Sequence, residues 1–130
     1  MTMRLISTPN APKPVAAYSQ AVVSNGVIYC AGSVGVDPQT GKLVDGLPAQ
    51  AEQIFKNVAA ILHAAGSHPG RVLRVTIFLS DMSQFATVNG IYERFVGDHR
   101  PARTTVGVAT LPLGALIEVD VTAEADDLTL

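Results

Sequence analysis

Two segments of this chain carry apolar residues at helical spacing, and strand-like segments lie on either side of each. The first segment follows Pro48, and Gly66 supplies a stop at its C-terminal end. Its apolar positions, which fit one face of a helix, are Ile54, Phe55, Val58, Ile61, Leu62 and Ala65. The second segment opens with Asp81 and Gln84, which resemble a capping box. Its apolar positions are Phe85, Val88, Tyr92 and Phe95. The chain therefore has to pack two helices against strands.

Strand-like segments lie before and between the helices. Asn25-Gly26 separates residues 20–23 from residues 27–31, and this dipeptide between apolar runs is a strong signal for a hairpin. Between the helices, residues 72–79 have the composition and alternation of a strand. One side of that strand is predicted to carry Leu73, Val75, Ile77 and Leu79.

The last two strand-like segments, residues 103–109 and 115–125, are predicted to pair as a hairpin. The residues that would share its buried face are Val106 and Val108 on one strand, and Ile117 and Val119 on the other. The same register places Arg103 and Glu118 together on the opposite face, offset by roughly 13 Å along the strand. A small acid and a water could fill that gap.

The order of elements is hairpin, helix, strand, helix, strand and strand, within a single domain over residues 1–130. This order predicts an α+β sandwich in which two helices pack on one face of a mixed sheet. The other face is predicted to carry Arg74, Thr76, Phe78, Arg103, Thr105, Glu118, Asp120 and Thr122. With 48% hydrophobic and 15% charged residues, the chain favours burial of this second face between subunits, which would create clefts there.

Composition and spacing disfavour several classes of function. A net charge of -2 and the absence of Trp give neither a basic surface nor a base-stacking platform for nucleic acid. The single cysteine, Cys30, excludes an internal disulfide and a Cys-rich zinc site, and it is expected to be an inert, packed thiol. His63, His68 and His99 lack metal-ligand spacing. Without a run of about 18 apolar residues, no membrane contact is expected, and the cytoplasm is the predicted location.

Arg103 and Glu118 are the candidate catalytic pair. A guanidinium can hold a carboxylate, and a carboxyl group whose pKa is raised by partial burial can transfer a proton. The alternative is that Arg103 is a solvated surface charge and that Glu118 belongs to a solvent-facing row with Asp120 and Glu124.

Two further residues carry weaker signals. Tyr18 could fold over the mouth of a pocket, or it could pack at an edge or an interface. Asn89 is a weak helix former inside a helical pattern, so either a polar contact or a surface position would explain it.

Several motifs resemble the signature of the RidA (YjgF) family of reactive intermediate deaminases. In the C-terminal part these are Pro101-Ala102-Arg103, Leu111-Pro112 and Leu116-Ile117-Glu118-Val119. Upstream, in the order found in the family, are Asn10-Ala11-Pro12, Tyr18-Ser19-Gln20-Ala21, Gly32, Ala64-Ala65-Gly66 and Phe85-Ala86-Thr87-Val88-Asn89. The resemblance extends over nearly the whole chain.

The resemblance implies a chorismate-mutase-like α+β fold of the bacillus type, assembled as a homotrimer with sites at the subunit interfaces. It also implies hydrolysis of 2-imino or enamine acids to 2-keto acids and ammonia, with no cofactor and no metal. Carried onto this sequence, Arg103 would bind the substrate's carboxylate and Glu118 would activate the attacking water. The remaining pocket contacts would come from Tyr18, Thr105, Gly32 and Asn89.

This sequence departs from the family's pattern at several positions. Ala16-Ala17 stands where many members have Gly-Pro, Ala31 replaces a common serine, and Thr105 stands where cysteine is frequent. The loop before Pro101 is also shorter. These departures bear on substrate range. They also leave open a non-enzymatic trimer that binds small acids or acts as a chaperone-like regulator. Ribonuclease activity, also attributed to the family, is disfavoured by the charge and the low aromatic content.

Overall fold

The first helical pattern forms α1, Leu47–Ala64, in the computed structural model, which describes residues 3–125. The helix ends in a Schellman motif, in which the amides of Gly66 and Ser67 donate to carbonyls of the last turn at 3.0 and 2.8 Å. Gly66 has a φ of 82°, a left-handed conformation that favours glycine. The predicted helix and its stop are confirmed.

The second helical pattern forms α2, Phe85–Val96, but it starts differently from the prediction. Asp81 accepts a hydrogen bond from the Ser83 amide at 2.9 Å and begins a short 3-10 turn, Met82–Gln84. Gln84 makes no side-chain cap, so the capping-box interpretation is wrong. The short Asp side chain reaches the amide two residues on, which closes a turn before the helix begins.

The strands form a seven-stranded mixed sheet and a separate pair. In chain order they are β1 (Arg4–Ile6), β2 (Ala21–Ser24), β3 (Val27–Cys30), β4 (Ser33–Val34), β5 (Val36–Asp37), β6 (Lys42–Leu43), β7 (Val72–Leu79), β8 (Ala102–Gly107) and β9 (Ile117–Glu124). The main sheet runs β1-β2-β3-β9-β7-β8, with β4 also on β9, while β5 pairs with β6. Only β7 and β8 pair in parallel among these strands. The α+β fold with one main mixed sheet is confirmed.

The hairpin between β2 and β3 is also confirmed. Val23 pairs with Ile28, and the connecting residues Asn25 and Gly26 have φ values of 51° and 78°. Positive φ at both central residues is the requirement of a type I′ turn, whose twist matches that of the flanking strands.

The predicted pairing of the last two strands is wrong, because β7 lies between β8 and β9. The helix α2 connects β7 to β8, and such a crossover returns the chain parallel to the strand it left. The strand β9 then pairs antiparallel with the other side of β7, so that Val119 aligns with Ile77 rather than with Val106. The core strand β7 therefore has a neighbour on each side.

This order places Arg103 and Glu118 on opposite faces of the sheet. Arg103 aligns with Val75, which is fully buried beneath the helices, and Thr105 lies two residues further on the same face. Glu118 aligns with Phe78, three residues from Val75 and thus on the other face. The prediction that Arg103, Thr105 and Glu118 share a face is wrong, because it assumed direct pairing of β8 with β9.

The face away from the helices, here called the open face, carries the other predicted residues. Aligned pairs of half-buried or exposed residues on it are Arg74 with Thr122, Thr76 with Asp120, and Phe78 with Glu118. Large apolar side chains are exposed there too, at Leu5, Tyr29 and Val106. The open face therefore mixes polar and apolar groups that no helix of residues 3–125 buries.

One residue of β7 was assigned to the wrong environment. Leu73 is 47% exposed, whereas Val72 is buried, because a bulge between Val72 and Arg74 interrupts the alternation. The other predicted core residues of this strand are buried. Among residues 3–125, no helix is both long and apolar enough to cross a membrane.

Candidate active site

The guanidinium of Arg103 lies in a cleft of about 440 Å³, here called the Arg103 cleft. Its lining residues are Asn89, Tyr92, Glu93, Arg100, Pro101 and Arg103. Among residues 3–125, no oxygen atom accepts a hydrogen bond from Arg103 and no carboxylate pairs with it. The neighbouring Arg100 instead donates to the carbonyls of Gly97 and His99 at 2.7 and 2.9 Å. Arg103 therefore keeps its N–H donors available to an anion.

Two other predicted site residues lie on the same side of the sheet as Arg103. Asn89, on α2, is half-buried and lines the Arg103 cleft. Thr105 lies two residues beyond Arg103 on β8, and its buried Oγ1 has no hydrogen-bond partner among residues 3–125. A buried hydroxyl without a partner is costly, so a polar group from outside the described chain would stabilise it.

Glu118 lines a second and larger cleft of about 810 Å³, here called the Glu118 cleft. Burial, and secondly the negative charge of Asp120, raise the pKa of the Glu118 carboxyl above its ordinary value. Tyr18 and Gly32 line the same cleft. Tyr18 is exposed, and its hydroxyl accepts a hydrogen bond from the Val15 amide at 3.4 Å. These three predicted residues therefore lie together, apart from Arg103.

The wall of the Glu118 cleft depends on Gln20, to which the sequence analysis gave no role. Gln20 is buried; its amide nitrogen donates to the carbonyls of Thr8, Ala11 and Pro12, and its oxygen accepts from the Thr8 amide. One side chain thus fixes a proline-containing loop that has few amides of its own to donate. A glutamine just before an apolar strand, close to such a loop, was the signal available in the sequence.

Leu113 also lines the Glu118 cleft and was not singled out in the sequence. It is a largely exposed leucine with a φ of 61°, a left-handed conformation that non-glycine residues rarely adopt. Such strain often accompanies functional sites. Sequence patterns give no signal for it, since the residue after it, Gly114, would be the expected position for a positive φ.

Other reactive groups contribute little to either cleft. Burial, and secondly the charge of Asp120, raise the pKa of the Cys30 thiol to about 12, so it is protonated at neutral pH. Among residues 3–125, no group of three or more His, Cys, Asp or Glu side chains is arranged to hold a metal ion.

The two clefts are complementary but separate. The Arg103 cleft offers cationic donors for a small anion, and the Glu118 cleft offers a carboxyl group whose raised pKa suits proton transfer. Within one chain, the sheet separates Arg103 from Glu118.

Comparison with known proteins links this arrangement to one family. The family model described as Endoribonuclease L-PSP matches residues 8–125. A RutC family protein of Aquifex aeolicus is 49% identical over 123 residues, which cover 93% of this chain and 98% of that protein. The human 2-iminobutanoate/2-iminopropanoate deaminase is 42% identical over 127 residues, covering 97% of this chain and 93% of the human protein.

Solved structures give the same result. RidA from the Antarctic bacterium Psychrobacter sp. PAMC 21119 is 39% identical, with a TM-score of 0.91, and the match covers 93% of this chain and 98% of that one. E. coli TdcF with bound serine is 33% identical, with a TM-score of 0.90, covering 95% of this chain and 99% of that one.

Proposed function

The chain belongs to the RidA (YjgF) family, and we propose that it hydrolyses reactive 2-imino or enamine acids to 2-keto acids and ammonia. The observation that carries the proposal is the Arg103 guanidinium, which faces an open cleft without an acceptor among residues 3–125. A small carboxylate is the ligand that such a planar, permanently charged donor binds best. The relatives named as imine deaminases point to a 2-imino acid as that carboxylate.

In the proposed reaction, Arg103 binds the substrate's carboxylate and fixes the position of the C=N bond. The Glu118 carboxylate accepts a proton from water while the water oxygen bonds to the imine carbon. Glu118 passes that proton to the nitrogen, which completes the carbinolamine. The hydroxyl proton then moves through Glu118 to the nitrogen, the C–N bond breaks with its electron pair on the departing ammonia, and the oxygen forms the C=O bond of the 2-keto acid. A raised pKa suits this exchange, because it makes the Glu118 carboxylate a better proton acceptor than an ordinary carboxylate.

We further propose that the site lies between protomers of a homotrimer. The support is the separation of Arg103 and Glu118 on opposite faces of one sheet. The open face provides a surface for such an assembly, because Leu5, Tyr29 and Val106 expose apolar side chains on it. Packing this surface against a second copy would bring one Glu118 cleft towards the Arg103 cleft of its neighbour.

The test is a turnover assay. An amino-acid oxidase generates 2-iminopropanoate or 2-iminobutanoate in the presence of the protein, and the disappearance of the imine is followed against the uncatalysed rate. Arg103→Ala should abolish the acceleration. Arg94→Ala, which removes an exposed arginine of α2 that pairs with Glu52 at 3.8 Å, should leave the rate unchanged. A wild-type protein without acceleration on either imine would disprove the proposal.

The second candidate is a trimer that binds small 2-keto acids without turnover. Its support is Ala31, which lines the Glu118 cleft where many family members have a serine hydroxyl. Thermal stabilisation by 2-oxobutanoate in the absence of imine hydrolysis would favour it over the deaminase. We do not extend the family model's description, an endoribonuclease, to this chain, because a net charge of -2 gives little attraction for phosphates.

A further inference from the structure

Two aromatic rings of α2 face the Arg103 guanidinium. The Cζ atom of Arg103 lies over the Tyr92 ring, 4.8 Å from its centroid, and over the Phe85 ring, 5.4 Å from its centroid. The two aromatic residues are seven positions apart, which is about two helical turns, so they lie on one side of α2. The alignment of Arg103 with Val75 directs the arginine beneath this helix.

These rings are the contacts that hold the guanidinium. Both centroids are within the distance of about 6 Å at which a ring face attracts a cation. No carboxylate or carbonyl of residues 3–125 takes up the N–H groups of Arg103. A ring face, unlike a carboxylate, attracts the cation without using up its donors or cancelling its charge. Arg103 is therefore restrained and still able to bind an anion.

Tyr92 is itself fixed by the core. It is 6% exposed, and the centroid of its ring lies 6.1 Å from the centroid of the Phe55 ring on α1. Burial raises the pKa of the Tyr92 hydroxyl, although the nearby charges of Arg103 and Arg100 act in the opposite direction. The hydroxyl therefore stays protonated at neutral pH, and its ring interacts with Arg103 as a neutral π-system.

We propose that Tyr92, assisted by Phe85, is a positioning residue that orients the Arg103 guanidinium for the substrate's carboxylate. This inference rests on the proposed function, because it concerns how that site recognises a 2-imino acid. Since the carboxylate is bound in both the ground state and the transition state, losing the ring should raise KM and leave kcat nearly unchanged.

The variants that test this are Tyr92→Leu, Phe85→Leu and Tyr92→Phe, with Phe95→Leu as the matched control. Phe95 lies on the same helix, and its ring centroid is 4.7 Å from that of Phe55, but its ring is not among those that Arg103 lies over. Tyr92→Leu should raise the KM for 2-iminobutanoate, and the dissociation constant of 2-oxobutanoate, by roughly 5- to 30-fold. Phe85→Leu should have a smaller effect of the same kind, and it tests the inference even if Tyr92→Leu fails to fold, since Phe85 is 38% exposed.

Three results would support the inference together. Tyr92→Phe should restore wild-type affinity, Phe95→Leu should show none of the loss, and the amide of the same imino acid should be insensitive to all four variants. A loss in Tyr92→Phe as large as in Tyr92→Leu would overturn it, because the hydroxyl rather than the ring would then be responsible. Equal losses in Tyr92→Leu and Phe95→Leu would also overturn it.

A measurement without any ligand separates this inference from the proposed function. The side-chain methylene protons of Arg103, identified by their loss in Arg103→Ala, should show ring-current shifts in the NMR spectrum of the wild type and of Tyr92→Phe. Tyr92→Leu should remove most of that shift. If the protein neither hydrolyses imines nor binds 2-oxobutanoate, the proposed function fails, while unshifted Arg103 protons in the wild type would refute the positioning role itself.

Discussion

The carboxylate of Glu118 occupies the space in which a side chain at Gly32 would begin. A Cβ atom on residue 32 would overlap Oε2 of Glu118 and come within 3.2 Å of its Cδ. Glycine is thus needed here for the space it leaves, a direct contact that the family resemblance did not specify although it assigned both residues to one pocket.

Gly32→Ala should therefore impair catalysis more than stability. The new methyl group meets the end of a flexible side chain, so the Glu118 carboxylate would move while the backbone stays in place. A displaced general base should lower kcat by about 10- to 100-fold. The measurement is imine turnover together with the thermal midpoint of unfolding.

Gly90→Ala is the control for this substitution. Gly90 lies inside α2, and a Cβ there would meet nothing within 4 Å. Alanine should stabilise the helix by about 0.5–1 kcal/mol and leave turnover intact. If Gly32→Ala retained full activity, the contact with Glu118 would have no functional importance.

The acid side of the pH profile should report the environment of Glu118. The proton-accepting form is the carboxylate, so kcat/KM should fall as pH drops through the raised pKa, above the ordinary carboxyl value of about 4.3. Asp120→Asn removes the negative charge that is the second cause of the raised Glu118 pKa. The decrease in kcat/KM should therefore occur at a lower pH. Burial, the larger cause, would remain.

Glu124→Gln provides the comparison, since Glu124 is an exposed carboxylate of the same strand that pairs with Arg71 at 2.9 Å. Glu124→Gln should not change the pH at which kcat/KM falls on the acid side of the profile. An unchanged profile in Asp120→Asn would mean that Glu118 does not control this limb.

Two inactive variants should restore each other's activity if the site is shared between protomers. Arg103→Ala keeps an intact Glu118 cleft, and Glu118→Ala keeps an intact Arg103 cleft. Random mixing into trimers should regenerate about a quarter of the wild-type sites. The assay is imine turnover after the two variants are unfolded and refolded together. Neither variant refolded alone should gain activity, and a mixture as inactive as its components would place both residues in one protomer's site or in none.

Cys30 should be unreactive in the folded protein. With a pKa of about 12, very little thiolate is present at pH 8, and the thiolate is the form that attacks thiol reagents. The expected result is slow labelling by a disulfide reagent at pH 8 and rapid labelling in denaturant. Fast labelling of the native protein would contradict the raised pKa of this partly buried thiol.

Local patterns in the sequence predicted the elements that local forces determine. The apolar stripe of α1 and its stop at Gly66 are contained in a short stretch of chain, as is the type I′ turn at Asn25-Gly26. In each case the residues that interact are close in sequence, so composition and spacing sufficed.

The order of strands could not be predicted in the same way. Pairing β8 with β9 would need only the short loop between them, so it was the natural prediction. In the structure β7 pairs with both strands instead, because its buried Val75 and Ile77 need a neighbouring strand on each side. A change of partner leaves the pattern of apolar residues intact while moving Arg103 to the other face. Arg103 and Thr105 were therefore placed incorrectly relative to Glu118. The rings around Arg103 were missed for the same reason, since Tyr92 was interpreted only as part of a helix's apolar stripe.

The separation of Arg103 and Glu118 by a sheet has an evolutionary consequence. Each residue has its own surroundings, the aromatic helix α2 in one case and the loops held by Gln20 in the other. In the proposed reaction, substitutions around Arg103 that change how tightly the substrate's carboxylate is bound need not disturb the activation of water by Glu118, so natural selection can tune selectivity and chemistry as independent traits.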